Sequence, residues 1–470
     1  MLRRLLLVCW VMFVVGHAMR SLPAGVPEGP ICLHPANPHY LLFRGKPTVL
    51  ITSGEHYGAV LNGDFDYRRY LDELQGHGLN LTRTFSGTYR EVPGSFKIVR
   101  NTLSPDPARY VCPWPRTNTP GAADGNRFDL KSWNPAYFRR LKDFVSEAGK
   151  RGIVVELTLF CTIYNDDLWN VNPMNARNNI NGIGQVSRKE VYTLKDPALT
   201  AVQEALVRKV AAELAPFDNV YYEICNEPYF GNVTRQWNDR MIAVLVEAES
   251  ALPARHLIAQ NIANHSAKIV DPNPNVSIFN FHYASPPDTV ALNFGLQKAL
   301  ADDETGFKGK GDFWYRREGW EFILAGGAIY SNLDYSFTVS HPDGSFTVTT
   351  SPGGGGRELR KQLAVLKRFI EGFDFIRMKP ANYLLRGDRP RVRVLAQEGQ
   401  AYAIYLTGDT QAKLQIELPA GPYQAEWVNT KTGAVDRSES FRHEGGTRVL
   451  SSPKYEEDIA LRIRRSEKAQ

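Results

Sequence analysis

The sequence predicts an α/β protein, a (β/α)8 TIM barrel followed by a small C-terminal antiparallel β-sandwich. Three observations carry this reading. The 470 residues, 43% apolar and 23% charged, exceed the size at which one hydrophobic core stops growing, so one large and one small domain are expected. From Thr48 to Ile370 short apolar runs alternate with longer amphipathic ones, the pattern of repeated strand and helix units. After Pro380 the helical periodicity stops, and short strand-like runs separated by Gly, Pro, Asp and Lys turns replace it. The expected boundaries are residues 1–18 for a signal peptide, 30–378 for the barrel and 379–470 for the sandwich.

Eight runs read as barrel strands: 47–53, 79–85, 152–160, 219–225, 256–260, 276–282, 298–303 and 325–333. Helical stretches fall at 66–75, 135–150, 199–214, 234–251, 317–324 and 358–372. The second of these shows the logic: Asn134 can cap it, Pro135 presets its first turn, and Phe138, Leu141, Phe144 and Val145 recur at three- and four-residue spacing. Gly152 then releases the chain into Ile153-Val154-Val155, the continuous apolar run of a strand buried on both faces. An open doubly wound sheet is the alternative, because the crossovers after the fifth and sixth strands are short. In the second domain, strands are expected at 391–395, 401–406, 412–418, 423–429 and 459–463. The Ser-, Thr- and Gly-rich segment 341–356 fits neither pattern and reads as a mobile loop at the barrel rim.

Arg3 and Arg4, the apolar run 5–15 and the small residues Gly16 and Ala18 have the three regions of a signal peptide cut after Ala18. A secreted or periplasmic protein, with no stable membrane insertion after cleavage, is the expectation. The net charge of +6 is scattered and gives no basic stripe for nucleic acid. Cys32, Cys112, Cys161 and Cys225 are widely spaced, so their pairing is left open.

In a (β/α)8 barrel the loops after the strands build the site, so polar residues at strand ends matter most. The fourth strand ends in Asn226-Glu227-Pro228, the seventh in Asp302-Asp303-Glu304-Thr305-Gly306. In a closed barrel these two strands face each other across the mouth. Two facing carboxyls suit glycosidic cleavage, in which one donates a proton to the leaving oxygen and the other attacks the anomeric carbon. Physics alone yields a pair and does not say which member attacks. Glu223 competes for the acid and Asp302 or Asp303 for the strand-seven carboxylate.

These motifs resemble those of the clan A glycoside hydrolases, the superfamily of the family 5 cellulases and mannanases, over roughly residues 41–370. By that resemblance Glu227 is the general acid/base, Asn226 the asparagine at the sugar 2-hydroxyl, and Glu304 the nucleophile. His282 and Tyr283 match the position that touches the nucleophile, and Arg83 matches the arginine often found after strand two. The resemblance implies a retaining hydrolase of β-linked glycosides with no cofactor, whose partner is a polysaccharide or oligosaccharide. The second domain resembles the β-sandwich often appended to such barrels.

The remaining candidates for sugar contact come from loop position. His56 and Tyr57 follow strand one, Trp114 lies in the long insertion after strand two, and Trp169 in the Asn-rich loop after strand three. Trp320 follows strand seven and Asp334 strand eight. No metal is expected: His56 and His282 have no closely spaced ligand partners. A non-catalytic carbohydrate-binding or scaffold protein on a degenerate barrel is the alternative from a different class.

Overall fold

The computed structural model describes residues 29–121, 123–387 and 391–466, and the predicted leader lies outside them. Eight strands form one parallel sheet: β1 (Leu50–Gly54), β2 (Leu81–Phe85), β3 (Val154–Cys161), β4 (Val220–Asn226), β5 (Ile258–Asn264), β6 (Ile278–His282), β7 (Ala299–Thr305) and β8 (Ile329–Leu333). Each of the eight overlaps a run read from the sequence. Their order, β1-β8-β7-β6-β5-β4-β3-β2, follows the chain around a nearly closed barrel and rules out the doubly wound alternative. The seam between β1 and β2 has no ladder. Asn80 stitches it instead, accepting from the Ile51 amide (3.0 Å) and donating to the Val49 carbonyl (2.9 Å) through its side chain.

Around the sheet lie α1 (Tyr67–Gly76), α2 (Pro135–Lys150), α3 (Pro197–Leu214), α4 (Arg235–Ser250), the short α5 (Asp288–Asn293), α6 (Asp312–Leu324) and α7 (Arg357–Glu371). Helix α2 starts and ends where the periodicity places it. The Asn134 side chain accepts from the Ala136 amide, and Gly152 at φ 70° makes the left-handed exit. No helix separates β5 from β6 and only six-residue α5 separates β6 from β7, which is why those crossovers read as short.

The segment expected as a mobile rim loop sits at the rim but is packed down. The Pro352 carbonyl accepts from the Gly309 amide (3.0 Å), and the Gly354 carbonyl accepts from Tyr335 (3.0 Å). A side chain at Gly353 would come within 1.9 Å of the Gly306 carbonyl, so this glycine allows a close approach, while Gly356 is needed for its φ of 126°.

Beyond Lys379 the chain forms β9 (Val392–Gln397), β10 (Ala401–Thr407), β11 (Lys413–Leu418), β12 (Gly421–Val428), β13 (Val435–His443), β14 (Gly446–Ser451) and β15 (Asp458–Arg465). All the ladders among them are antiparallel, and β11 pairs only with β14, giving a small sandwich-like body. β13 and β14 escaped the sequence reading: β13 is a sheet-edge strand with no buried residue, so it lacks alternation.

A buried polar knot joins this body to the barrel. Arg316 on α6 donates to Asp458 at 2.9 Å and to Gln362 on α7 at 2.7 Å, while Tyr405 and Thr430 also donate to Asp458. Trp320 stacks on Tyr405 with ring centroids 5.4 Å apart. Removing one partner of a buried ion pair strands the other charge, so Asp458→Ala is predicted to destabilise the fold by about 3–5 kcal/mol. Urea unfolding monitored by circular dichroism measures this, and a loss below about 1 kcal/mol would show that water replaces the carboxylate cheaply. Among the described residues no helix is long and apolar enough to cross a membrane, and Cys32, Cys112, Cys161 and Cys225 are all free.

Candidate active site

The C-terminal ends of the strands surround a cavity of about 570 Å³. Glu227 and Glu304 both line it and both are buried. Glu227 follows β4 in the left-handed conformation (φ 45°, ψ 53°), unusual for a non-glycine residue. Its amide donates to the Asn261 side chain (3.1 Å), and its carbonyl accepts from Phe230, which holds the turn. Tyr57 and Tyr283, which bond Glu304 across the cavity, also have positive φ.

Glu304 owes its position to a break in the β7 register, where His282 pairs with Glu304 directly after Phe281 pairs with Asp302. The irregularity disturbs strict alternation. Asp303 goes into the barrel interior, where Asn280 donates to it, and Glu304 reaches the cavity. Asp302 is fully buried, accepts from the Ala284 amide and does not line the cavity. Glu223 lies inside the barrel, ion-paired to Arg83 at 2.6 Å and accepting from Thr158 at 2.6 Å. Of the competing carboxylates, only Glu227 and Glu304 therefore face the cavity together.

The two carboxylates have different company. Glu304 accepts from Tyr283 (2.7 Å), Tyr57 (2.9 Å) and Arg83 (3.1 Å). Glu227 accepts from the Tyr164 hydroxyl at 2.5 Å and more distantly from Tyr229 at 3.4 Å. His282 stands between them, with Nδ1 3.1 Å from Glu227 and 3.6 Å from Glu304. One oxygen of Glu227 and one of Glu304 lie within 4.8 Å of each other and of a His282 nitrogen.

Burial alone would raise the Glu304 pKa. The His282 charge, Arg83 and the Tyr283 hydroxyl outweigh it and hold the carboxyl below its ordinary value. Burial would likewise lower His282, but Glu304, Asp303 and Glu227 push it well above the usual histidine value. The trio Glu227, His282 and Glu304 has the spacing to hold a cation, as does Glu223, His282 and Asp303. To ligate a metal, His282 would have to give up a proton, since an imidazolium offers no lone pair.

Arg83 organises the floor. Besides Glu223 and Glu304 it donates to the Asn226 side-chain oxygen Oδ1 (2.7 Å), which turns the Asn226 Nδ2 toward the Tyr164 hydroxyl (2.9 Å). Its guanidinium also lies 4.5 Å from the centre of the Tyr57 ring.

A family model described as "Cellulase (glycosyl hydrolase family 5)" matches residues 95–309, a stretch that includes Glu227 and Glu304. A candidate glycoside hydrolase from Bacteroides vulgatus is similar in structure, with TM-score 0.68 and 16% identity over 95% of this chain and 84% of that one. A glycoside hydrolase (TM-score 0.64, 14% identity, 94% and 98% covered) and a second Bacteroides vulgatus protein, of glycoside hydrolase family 5 (0.64, 13%, 94% and 94%), are also similar. The chain has the clan A, family-5-like glycoside hydrolase fold. To it is appended a C-terminal sheet domain distinct from the barrel. No curated protein matches the chain. Fold and family match together support an enzyme, a glycosidase.

Within this glycosidase barrel the predicted residues separate into two groups. Glu227, Glu304, Asn226, His56, Tyr57 and Tyr283 line the cavity, and Arg83 and His282 support it from beneath. Four others, expected at the sugar, do not line it. Trp114 is buried in the core. Trp169 donates its indole N–H to the Val186 carbonyl (3.0 Å). Trp320 is the interdomain contact described above. Asp334 is an ion-pair partner of Arg360 (2.6 Å) that caps the β8 loop through Ser336. The density of asparagine after β3 has a structural cause too: Asn172, Asn175, Asn178 and Asn179 all donate to backbone carbonyls.

Several cavity residues went unpredicted. Phe230 and Phe307 come soon after strands, so strand-end position was a usable signal for them, as it was for Tyr164 in the loop after β3. Glu91, Phe96 and Leu103 come from the middle of the insertion after β2, where no local motif marks them.

Proposed function

We propose that the chain is a retaining glycoside hydrolase that cleaves β-linked glycosidic bonds by double displacement, with Glu304 as nucleophile and Glu227 as acid/base. The observation that carries this reading is the approach of the two carboxylates to within 4.8 Å at the cavity wall. Retention uses carboxyls about 5–5.5 Å apart, whereas inversion leaves about 6.5–9.5 Å for a water. The division of roles follows from the surroundings. Glu304 has an arginine and two hydroxyl donors and a depressed pKa, which suits an ionised nucleophile.

In the first step a Glu304 oxygen bonds to the anomeric carbon while the bond to the leaving oxygen breaks, and Glu227 delivers its proton to that oxygen. In the second, Glu227 takes a proton from water, the water oxygen bonds to the anomeric carbon, and the glycosyl ester breaks. Glu304 returns as carboxylate and Glu227 as acid. His282 steadies the negative charge as it passes between the two groups. Asn226, fixed by Arg83 and Tyr164, faces the ring beside Glu227. We place the working protein outside the cytoplasm, on the strength of the predicted leader at residues 1–18.

Trapping tests the assignment. Incubation with 2-deoxy-2-fluoro-β-glycosyl fluorides of several sugars is expected to add one fluoroglycosyl mass, mapped by peptide sequencing to Glu304. A label on another carboxylate would refute the assignment.

The pH profile offers a second check. The kcat/KM value needs Glu304 ionised, so activity is present above its pKa and lost as pH falls through it. Because that pKa is depressed, the acid limb should lie below the ordinary glutamate value. Tyr283→Phe removes one of the donors that depress it, and is predicted to move the limb to higher pH. A limb that stays in place would separate Tyr283 from the ionisation of Glu304.

A further inference from the structure

We propose that this glycosidase acts from a chain end, and that Glu91 and His56 hold the hydroxyls of the terminal ring. The inference rests on the retaining reading above, which orients the cavity. The ring that is attacked must stand over Glu304, and the leaving group must extend past Glu227. Tyr57, a donor to Glu304, is followed around the wall by His56, with ring centroids 5.3 Å apart. The His56 side of the cavity is therefore the glycone side. Tyr229, Phe230 and Asn264, gathered around Glu227, form the leaving-group side.

At the glycone end the wall carries a third carboxylate, Glu91, 2% exposed yet lining the cavity. It has no arginine or lysine partner among the described residues, and His56 Nε2 lies 3.9 Å away. Asn101 sets both groups at once. Its amide nitrogen donates to Glu91, while its oxygen takes the Leu103 amide (2.9 Å) and lies 2.8 Å from His56 Nδ1. That oxygen can only accept, so His56 Nδ1 is the donor there. Glu91 Oε1, whose one donor among the described residues is the Tyr89 hydroxyl at 3.4 Å, and His56 Nε2 are left side by side, too far apart to bond to each other. Two such groups with unfilled capacity in a desolvated wall suit neighbouring hydroxyls of one sugar ring. The buried Tyr335 hydroxyl, also without a partner among the described residues, belongs to a ring 6.2 Å from that of His56.

Behind this pair the loops are laced together, and Arg100, Asn101 and Ser340 also line a separate cavity of about 500 Å³. Val99 and Arg100 of the β2 insertion bond Ser351 and Ser340 of the β8 loop (3.2 and 3.0 Å), and the Arg100 guanidinium covers Phe346 at 4.8 Å. Further sugars on the glycone side would have to pass through these laced loops. On the leaving-group side Phe230 is the most exposed phenylalanine of the cavity lining, at 56%, against 40% for Phe96 and Phe307. A pocket crossed by laced loops behind one ring, with its most exposed phenylalanine beyond the scissile bond, accepts a terminal residue and excludes the middle of a chain.

Two experiments decide it. The protein is given 4-nitrophenyl β-glycosides of glucose, mannose, galactose and xylose, then reducing-end-labelled oligosaccharides of the sugar that responds. Labelled products that shorten by one residue at a time, with free monosaccharide, are expected. A ladder of internal fragments at early times overturns end-directed action and leaves the retaining pair standing, whereas no hydrolysis of any substrate overturns both. In the second, Glu91→Gln is expected to lower kcat/KM about 10- to 100-fold on the responding glycoside, chiefly through KM. On the monodeoxy glycoside lacking the bound hydroxyl, parent and variant should converge. An equal loss on the parent glycoside and on every deoxy analogue would assign Glu91 to structure alone. If the variant does not fold, the product pattern of the unaltered protein still decides the question.

Discussion

Replacing Glu304 by glutamine is expected to lower kcat by about 10⁴-fold or more, the scale seen when a covalent nucleophile is removed. The cause is specific. Glutamine keeps the volume, and its amide oxygen can still accept from Tyr57, Tyr283 or Arg83, so the pocket has no reason to collapse. What disappears is the carboxylate that forms the glycosyl ester. Steady-state kinetics on the best 4-nitrophenyl glycoside, with circular dichroism to establish folding, measures the effect. A folded variant within about tenfold of the parent would remove Glu304 from the chemistry.

Glu227→Ala should give a different signature. General acid catalysis contributes about 10² to 10⁴-fold, and only where the leaving oxygen needs a proton. Natural-type glycosides with poor leaving groups should therefore slow by that factor. Dinitrophenyl glycosides, whose leaving group departs as a stable anion, should keep most of their first-step rate and accumulate the glycosyl-enzyme. Burst kinetics would display this as a fast first turnover followed by slow release. Equal loss on both substrate types would mean that Glu227 positions the substrate and does not donate the proton.

The barrel was legible because its strands are buried on both faces and read as continuous apolar runs, as in Val154–Cys161, where every residue is buried. The pair at its mouth was legible for a related reason: strand ends are where a barrel puts chemistry, and Glu227 and Glu304 end β4 and β7. Long loops hid the rest. Trp169 looked like a sugar platform in an asparagine-rich loop, but those asparagines satisfy the loop's own carbonyls and draw the indole inward. Glu91 had no local signature, since its role comes from Asn101, ten residues on, and from His56 on another loop. Trp320 pointed away from the mouth because α6 presents it to the second domain, a packing partner that helical periodicity cannot identify. Edge strand β13 was missed because it has no buried face to alternate.

The anomeric form of the first product tests the central claim most directly. Proton NMR during the opening minutes of hydrolysis of a β-glycoside, before mutarotation, should show the β-anomer accumulating first, as two successive inversions at one carbon require. Initial appearance of the α-anomer would mean a single displacement by water, and would contradict a nucleophilic Glu304.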